Sequence, residues 1–398
     1  MQIRTQLLIE LAKTLHILGT PAHRLECTVR EAGKSLGLEV SVFSVPTSLM
    51  LSFGTPEEMR TAIIRIEPGF INLARLRDVD LVLERILTDE VDHQETIAEL
   101  KTIQTSPSGW GVWGALAGFS FAGAAASRFF GGGINEIIVA MLAGLIVGFT
   151  MLIPMRHPDR APLADLIAAC AATFFAWSMT IFFPTLQPGV VVLASLVVLL
   201  PGLTTTLAIN ELATRNLSSG SARLMQALMG FVALAIGSII GETVASTLPV
   251  HESGVATPLP AWTLFPALVL SGVALSILFG ARVKDVFWII VAGSIGFGCA
   301  RAGGEHLGPV IGVSLGAFAV GIAGNMYRRI LDAPAATLIV PGIMILVPGG
   351  LGLHSVEQLF DSTSTASASL VVAVFTIAGG LVAGLLVANL VLPPRKLI

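Results

Sequence analysis

The sequence predicts an all-α polytopic membrane protein of about ten transmembrane helices, arranged as two inverted five-helix halves behind a small cytoplasmic α+β domain. Three observations predict it. The 398-residue chain is 54% hydrophobic and only 12% charged, about half the charged fraction of soluble domains. After residue 105 the composition changes abruptly to apolar runs near the roughly 20 residues that a bilayer demands. The basic residues between those runs fall on alternate loops.

Residues 1–105 read as the α+β domain. Gln6–Leu18 places Leu7, Leu8, Leu11, Leu15 and Leu18 on one face of an amphipathic helix that Gly19 ends. Pro21 opens a second helix, whose Leu25, Val29, Ala32 and Leu36 run to Gly37. Leu38–Phe43, Thr47–Phe53 and Thr61–Glu67 read as short strands divided by turn residues. Leu73–Leu87 and Glu90–Ile103 are helical again, and residues 106–109 form a linker. The opening carries no basic-then-apolar segment with a cleavage site, so no secretory signal peptide is expected.

The first membrane half, 110–250, divides into spans at 110–128, 134–155, 163–183, 188–209 and 221–247. The second, 251–398, divides at 260–279, 284–300, 307–327, 334–352 and 367–391. With the N-terminal domain inside, the inner loops and tail hold Arg156, Arg160, Arg215, Arg223, Arg282, Lys284, Arg328, Arg329, Arg395 and Lys396. The outer loops hold only Arg128 and Arg301. That asymmetry puts both termini in the cytoplasm. Small residues four apart, at Gly144/Gly148, Gly237/Gly241, Gly312/Gly316 and Gly380/Gly384, suit close helix approach in lipid.

The halves also resemble one another. GGGINEIIVAMLAGLIVGF (131–149) aligns without gaps with GARVKDVFWIIVAGSIGFG (280–298), Gly131 on Gly280 and Glu136 on Asp285. Each half then carries a Pro-Gly inside a span, Pro201-Gly202 and Pro341-Gly342, although Asn210 in the first half matches only Gly350 in the second. A five-span repeat must enter the membrane upside down, and interrupted helices in matching positions point to a secondary-transporter binding site.

The most informative stretch is LLPGLTTTLAINELATRNLSSGSAR, 199–223. A Pro-Gly break is followed by Thr204, Thr205, Thr206, Asn210 and Glu211. At about 3.6 residues per turn, Thr204 and Glu211 share one helix face, and Thr206 and Asn210 a neighbouring one. Freed backbone groups at membrane depth persist only where protein or a water-filled cavity satisfies them. The segment therefore reads as a translocation path, against a proline-kinked span whose polar end sits among headgroups. Half-helix ends at Pro201-Gly202 and Pro341-Gly342 would suit the carboxylate and ammonium of a zwitterion; two packing kinks remain the alternative.

This stretch, with HILGTPAHRLE at 16–26, resembles the threonine/serine exporter family of bacterial inner-membrane proteins, and the similarity covers the whole chain. The resemblance implies a multi-pass inner-membrane exporter of threonine and serine, exchanging them for protons. It carries over Gly19, Arg24 and Glu26 from the opening motif. From the core it carries over Pro201, Gly202, Thr205, Asn210, Glu211, Gly220 and Arg223. The family often has Ser or Thr before the motif arginine, where this chain has Pro21-Ala22-His23, and often Asp in place of Glu211. Split forms of the family include a pair associated with succinate export, so substrate identity stays open.

On these residues Glu211 is expected to be the proton-responsive or amine-binding group at the inner mouth. Glu242, about twenty residues into its span, falls near the outer surface, which favours an interfacial carboxylate over a proton relay. Arg24 and Glu26 lie two apart on one helix and cannot face each other, so capping or interhelix roles are expected. Glu305-His306 beside Arg301 reads as an outer gate or a solvated loop. No HExxH, G-x-S-x-G or phosphate loop appears, the histidines have no ligand spacing, and Cys27, Cys170 and Cys299 are scattered. No enzyme, catalytic residue, metal or cofactor is therefore expected, and a net charge of −3 argues against a nucleic-acid partner. The implied partners are the solute, protons, membrane lipid and, left open, a second copy of the chain. Two other readings stand beside amino-acid export. A dicarboxylate exporter would want a positive group facing the path, and no such group is found at mid-depth. A scaffold or sensor would use the spans only as an anchor.

Overall fold

The computed structural model describes residues 2–55, 58–66, 69, 71–88, 92–107, 109–153, 161–251, 254, 256–346 and 367–394. In the N-terminal unit, α1 (Gln2–Ile17) and α2 (Ala22–Ser35) precede an antiparallel sheet of β1 (Val40–Val45), β2 (Ser48–Phe53) and β3 (Arg60–Arg65). Helices α3 (Leu73–Leu87) and α4 (His93–Thr105) complete it. Strand alternation buries Leu49, Leu51 and Phe53 of β2 against Leu8, Leu11, Leu15, Leu25 and Val29 of the first two helices. The expected Glu67 end of the third strand lies outside the described residues. Asn72 caps α3, accepting from the Arg75 N–H at 3.0 Å. Asp92 caps α4, so that helix begins later than Glu90.

The described residues beyond the N-terminal unit are mainly helical. α5 (Gly111–Phe129), α6 (Ile134–Thr150) and α7 (Ala161–Ser178) lead to the short α8 (Pro188–Leu196) and α9 (Gly202–Ala213). α10 (Leu217–Ala245), α11 (Leu264–Leu278), α12 (Val283–Leu307), α13 (Pro309–Leu331), α14 (Ala336–Leu346) and α15 (Ser367–Val391) follow. Among the described residues, six helical segments are long and apolar enough to cross a membrane, namely 163–181, 217–245, 261–278, 283–307, 309–331 and 374–391. Ile134–Thr150 and Ala336–Leu346 are apolar but shorter. Each of the four glycine pairs meets a neighbouring helix. A Cβ on Gly237 would lie 2.4 Å from the Leu166 carbonyl oxygen, and one on Gly241 2.4 Å from that of Cys170.

The helix ends sort into two groups. At one end, the Gln187 N–H donates to Glu136 at 3.0 Å, Arg128 donates to Thr263 at 2.6 Å, and the His251 N–H donates to Thr180 at 3.1 Å. At the other end, the N-terminal unit meets the helices around residues 279–285 and 328. The Leu73 and Ala74 amides at the start of α3 donate to the Phe279 and Gly280 carbonyls at 2.8 and 3.2 Å. Further along α3, Arg77 pairs with Asp285 at 3.3 Å, Asp78 with Arg282, and Asp80 with Arg328. The Asp80–Arg328 pair is 2% and 1% exposed, so this contact is an interior rather than a surface.

The aligned segments fold alike. Gly131 and Gly280 both take positive φ, 86° and 60°. In both turns the next residue's N–H closes on a serine carbonyl at 2.8 Å, Gly132 on Ser127 and Ala281 on Ser276. Glu136 and Asp285 then occupy the third position of α6 and α12, each buried. The two turns lie at opposite ends of the bundle. The match extends upstream of the aligned segment, with Gly123 and Ser127 on Gly272 and Ser276 at the same spacing.

One expectation fails at Pro341-Gly342. The second half is not broken there, because Pro341 lies inside the continuous α14. A proline removes one backbone donor, which a membrane helix tolerates when its neighbours enclose it. Both residues are buried, and Gly342 packs on Val320. Gly350 and the remainder of the 334–352 span lie outside the described residues. Arg301, Glu305 and His306 do not form a loop, since α12 continues to Leu307. Arg301 and Glu305 pair at 3.1 Å along its exposed face.

Candidate functional site

The site is built around the interruption between α8 and α9. α8 ends at Leu196, and the chain turns irregularly through Val197–Pro201. Pro201, with no N–H to lose, then stands as the N-cap of α9, and its carbonyl accepts from the Thr205 N–H at 2.9 Å. At about 1.5 Å per residue, α8 and α9 rise about 14 and 18 Å, so the break falls near the middle of the segment.

The threonines divide by environment. Thr205 and Thr206 are buried, and their hydroxyls donate back to the Pro201 and Gly202 carbonyls at 2.8 and 3.0 Å. These bonds bend a helix slightly and leave each oxygen able to accept. Thr204 is half-buried. Thr206 and Asn210, one turn apart, face a cavity of about 110 Å³. Its other walls are Ile339 and Ile343 of α14, Leu385 of α15, and Thr20 and Arg24 of the N-terminal unit.

Glu211 lies beside this space rather than on it. Its fully buried carboxylate accepts from Arg223 Nε at 3.0 Å, Ser219 Oγ at 2.7 Å and the Ala22 N–H at 3.0 Å. The Ala22 amide is the first of α2, so a helix N-terminus and a guanidinium meet one carboxylate. Glu211 thus ties α9, α10 and the N-terminal unit together.

The secondary candidates separate. Glu242 is exposed in the last turn of α10. Glu26 turns away from the cavity and accepts the Ser44 N–H at 3.1 Å, and burial pushes its carboxyl above the ordinary carboxylate range. Arg24 faces the cavity, where burial pulls its guanidinium below its usual value. Sequence reasoning gave Arg24 a capping or interhelix role and found no positive group on the path. The missed signal was the motif itself, because only the tertiary contact through Ala22 brings Arg24 to Asn210. His23, beside it, is lowered to about 4, first by burial and then by the Arg24 charge.

Comparison with known proteins fits this geometry. A family model described as a threonine/serine exporter matches residues 6–245, and a second, described as "Threonine/Serine exporter, ThrE", matches residues 265–391. Similar curated proteins include several from fungi. They include the pheromone-regulated membrane protein 10 of Eremothecium gossypii, 24% identical over 92% of this chain and 50% of its own length. The protein of that name from Pichia sorbitophila is 24% identical over 91% and 38%. The uncharacterized protein C7D4.12c of Schizosaccharomyces pombe is 25% identical over 95% and 53%. The chain thus spans about half or less of the length of these relatives. No solved structure matches.

Proposed function

The chain belongs to the threonine/serine exporter family, and from that premise we propose that it is a secondary transporter exporting threonine and serine from the cytoplasm in exchange for protons. The cavity at the interrupted helix carries this reading. Its volume of about 110 Å³ corresponds to roughly four waters at liquid density, the scale of a small polar solute. Thr206, Asn210, Thr20 and Arg24 supply polar contacts in otherwise apolar walls, the composition expected of a small-molecule site. The translocation path is assigned to Pro201, Gly202, Thr204, Thr205, Thr206 and Asn210. Pro341 and Gly342 serve as a packing kink. Glu211, already held by three donors, acts as the clasp that positions α2.

The proposed architecture is ten spans in two inverted halves, with α8 and α9 together making one crossing. The matching Gly131 and Gly280 turns at opposite ends support the inversion. The domain limits proposed are 1–105, 110–250 and 251–398. Arg215, Arg223, Arg282, Lys284, Arg328 and Arg329 lie at the end that meets the N-terminal unit. The positive-inside rule therefore favours a cytoplasmic N-terminal unit, in a bacterial inner membrane.

Arg24 favours a second reading, dicarboxylate export. The argument against it was the lack of a positive group on the path, and Arg24 removes that argument. Cells loaded with threonine- or serine-containing dipeptides decide between them when efflux is followed with and without the protein, succinate being the comparison solute. Threonine efflux that falls about tenfold or more in an inserted Thr206→Val/Asn210→Leu variant is expected. Unchanged efflux in that variant overturns the site, and no efflux of any solute leaves the scaffold reading.

A further inference from the structure

The half-buried Arg24 side chain faces the cavity, and its guanidinium makes no hydrogen bond or ion pair with any other described residue. A charge partly withdrawn from water without a partner carries a cost that a bound anion would offset. The adjacent carboxylate cannot serve, because Glu211 is taken by Ala22, Ser219 and Arg223. Thr20 repeats the pattern independently. It lines the same cavity, is 8% exposed, and its hydroxyl has no hydrogen-bond partner. Across the space, the Asn210 side-chain amide makes no bond to a described residue either. One planar cation, one hydroxyl and one amide thus converge on one volume with their hydrogen-bonding capacity unspent.

We propose that Arg24 and Thr20, carried by the N-terminal unit, form with Asn210 a carboxylate-binding subsite of the transport cavity. The N-terminal unit would then supply part of the substrate site itself. This deepens the export reading and rests on the same cavity. A guanidinium presents two parallel N–H donors to a carboxylate, which an ammonium cannot. The Thr20 hydroxyl donates to a remaining lone pair, and the Asn210 amide offers a donor to the carboxylate or an acceptor to an ammonium. Arg24 is held in place indirectly. The Glu211 bond to Ala22 fixes the first turn of α2, two residues before Arg24, so the clasp on one half of the molecule sets the position of the cation.

The test uses the purified full chain and three probes: threonine, threonine amide, which lacks the carboxylate, and succinate. Calorimetric affinities are measured for the wild type, Arg24→Gln, Arg24→Lys and Thr20→Val. Threonine is expected to bind the wild type at least tenfold more tightly than its amide. Arg24→Gln should reduce threonine to the level of the amide and leave the amide's affinity unchanged, which a general loss of structure would not do. Arg24→Lys should keep part of the preference, and Thr20→Val should weaken threonine a few-fold.

An amide that binds the wild type as tightly as threonine overturns the proposal, and that result needs no variant. So does an Arg24→Gln protein that keeps the preference. If Arg24→Gln does not fold, Arg24→Lys and the wild-type probe pair decide. Should the wild type bind succinate in place of threonine and lose it in Arg24→Gln, the carboxylate subsite stands and the amino-acid reading falls. A wild type that exports threonine with Arg24→Gln unchanged reverses that outcome. A wild type that binds none of the probes overturns both.

Discussion

Replacing Asp80 by Asn should release the N-terminal unit from the second half of the molecule. Arg328 reaches Asp80 through both terminal nitrogens, one contact measuring 3.0 Å, and reaches Glu84 at 3.3 Å. At about 3 Å and an effective dielectric near 20, the Coulomb attraction is roughly 5 kcal/mol. Desolvation of both ions opposes most of it, so the intact pair contributes little net stability. Removing Asp80 is different, because it leaves the buried Arg328 with only the longer contact to half-buried Glu84, at a cost of about 3–5 kcal/mol. The Leu73 and Ala74 amides donate across the same interface to Phe279 and Gly280, so their hydrogen exchange reports undocking. Protection there should fall by roughly 100- to 4,000-fold in Asp80→Asn. An Asp80→Leu/Arg328→Met pair, which leaves no stranded charge at either position, should lose less than the single variant. A change below about fivefold in Asp80→Asn, or losses that simply add in the double variant, would refute a buried pair holding the interface.

Glu211→Ala strands Arg223 and leaves the Ala22 N–H without its acceptor, so protection of the α2 amides should fall by about 3 kcal/mol or more. Exchange at the start of α2 measures this, and wild-type protection there would remove the clasp. The folded protein keeps His23 neutral down to about pH 4, whereas the unfolded chain takes up that proton near pH 6.5. Stability should therefore fall as pH drops from about 6.5 to about 4, by roughly 3 kcal/mol in total, and level off below. His23→Gln should flatten that slope in unfolding measured across the window. His16, also lowered by burial, leaves a residual slope of the same sign. Gly237→Ala places a methyl 2.4 Å from the Leu166 carbonyl oxygen, so α10 and α7 must separate, at about 1–3 kcal/mol. A lower unfolding temperature in detergent checks it, and an unchanged one would show that the contact is looser than described.

Much of the fold was legible because its causes are local. The Leu7, Leu11 and Leu15 stripe dictates α1, and the Leu73–Leu87 limits of α3 were readable in full, since periodicity and capping lie within the segment. Pro201-Gly202 announced a break, and α9 begins there. Pro341-Gly342, the same dipeptide, did not break α14, because whether a proline interrupts a membrane helix depends on the neighbours that enclose it. The site was legible only in its first-half residues. Thr206 and Asn210 share a face by spacing alone. Arg24 joins them through a contact across 189 positions, Ala22 to Glu211, and no local pattern encodes that. The partners of Glu211 were hidden for the same reason, since the sequence reveals a carboxylate after a threonine run but not the three donors that meet it.

On the proposed site, these contacts would make solute binding and domain docking one equilibrium. The cavity has walls from α9, from α14 and α15, and from the N-terminal unit. That unit is fastened to the first half at Glu211, and to the second by contacts of α3 that include the Asp80–Arg328 pair. A solute that requires all three walls binds only the docked form, and so stabilises docking by about 2.7 kcal/mol at one hundred times its Kd. The converse follows by linkage. Any variant that lowers the docked fraction raises the apparent Kd in the same proportion, without touching the cavity. Asp80→Asn should therefore weaken solute binding from a position outside the cavity, once its cost exceeds the stability of the docked state. A solute held by Thr206 and Asn210 alone would be indifferent to it. The dependence of affinity on a distant buried ion pair thus separates a cavity shared with the N-terminal unit from one built by the membrane helices alone.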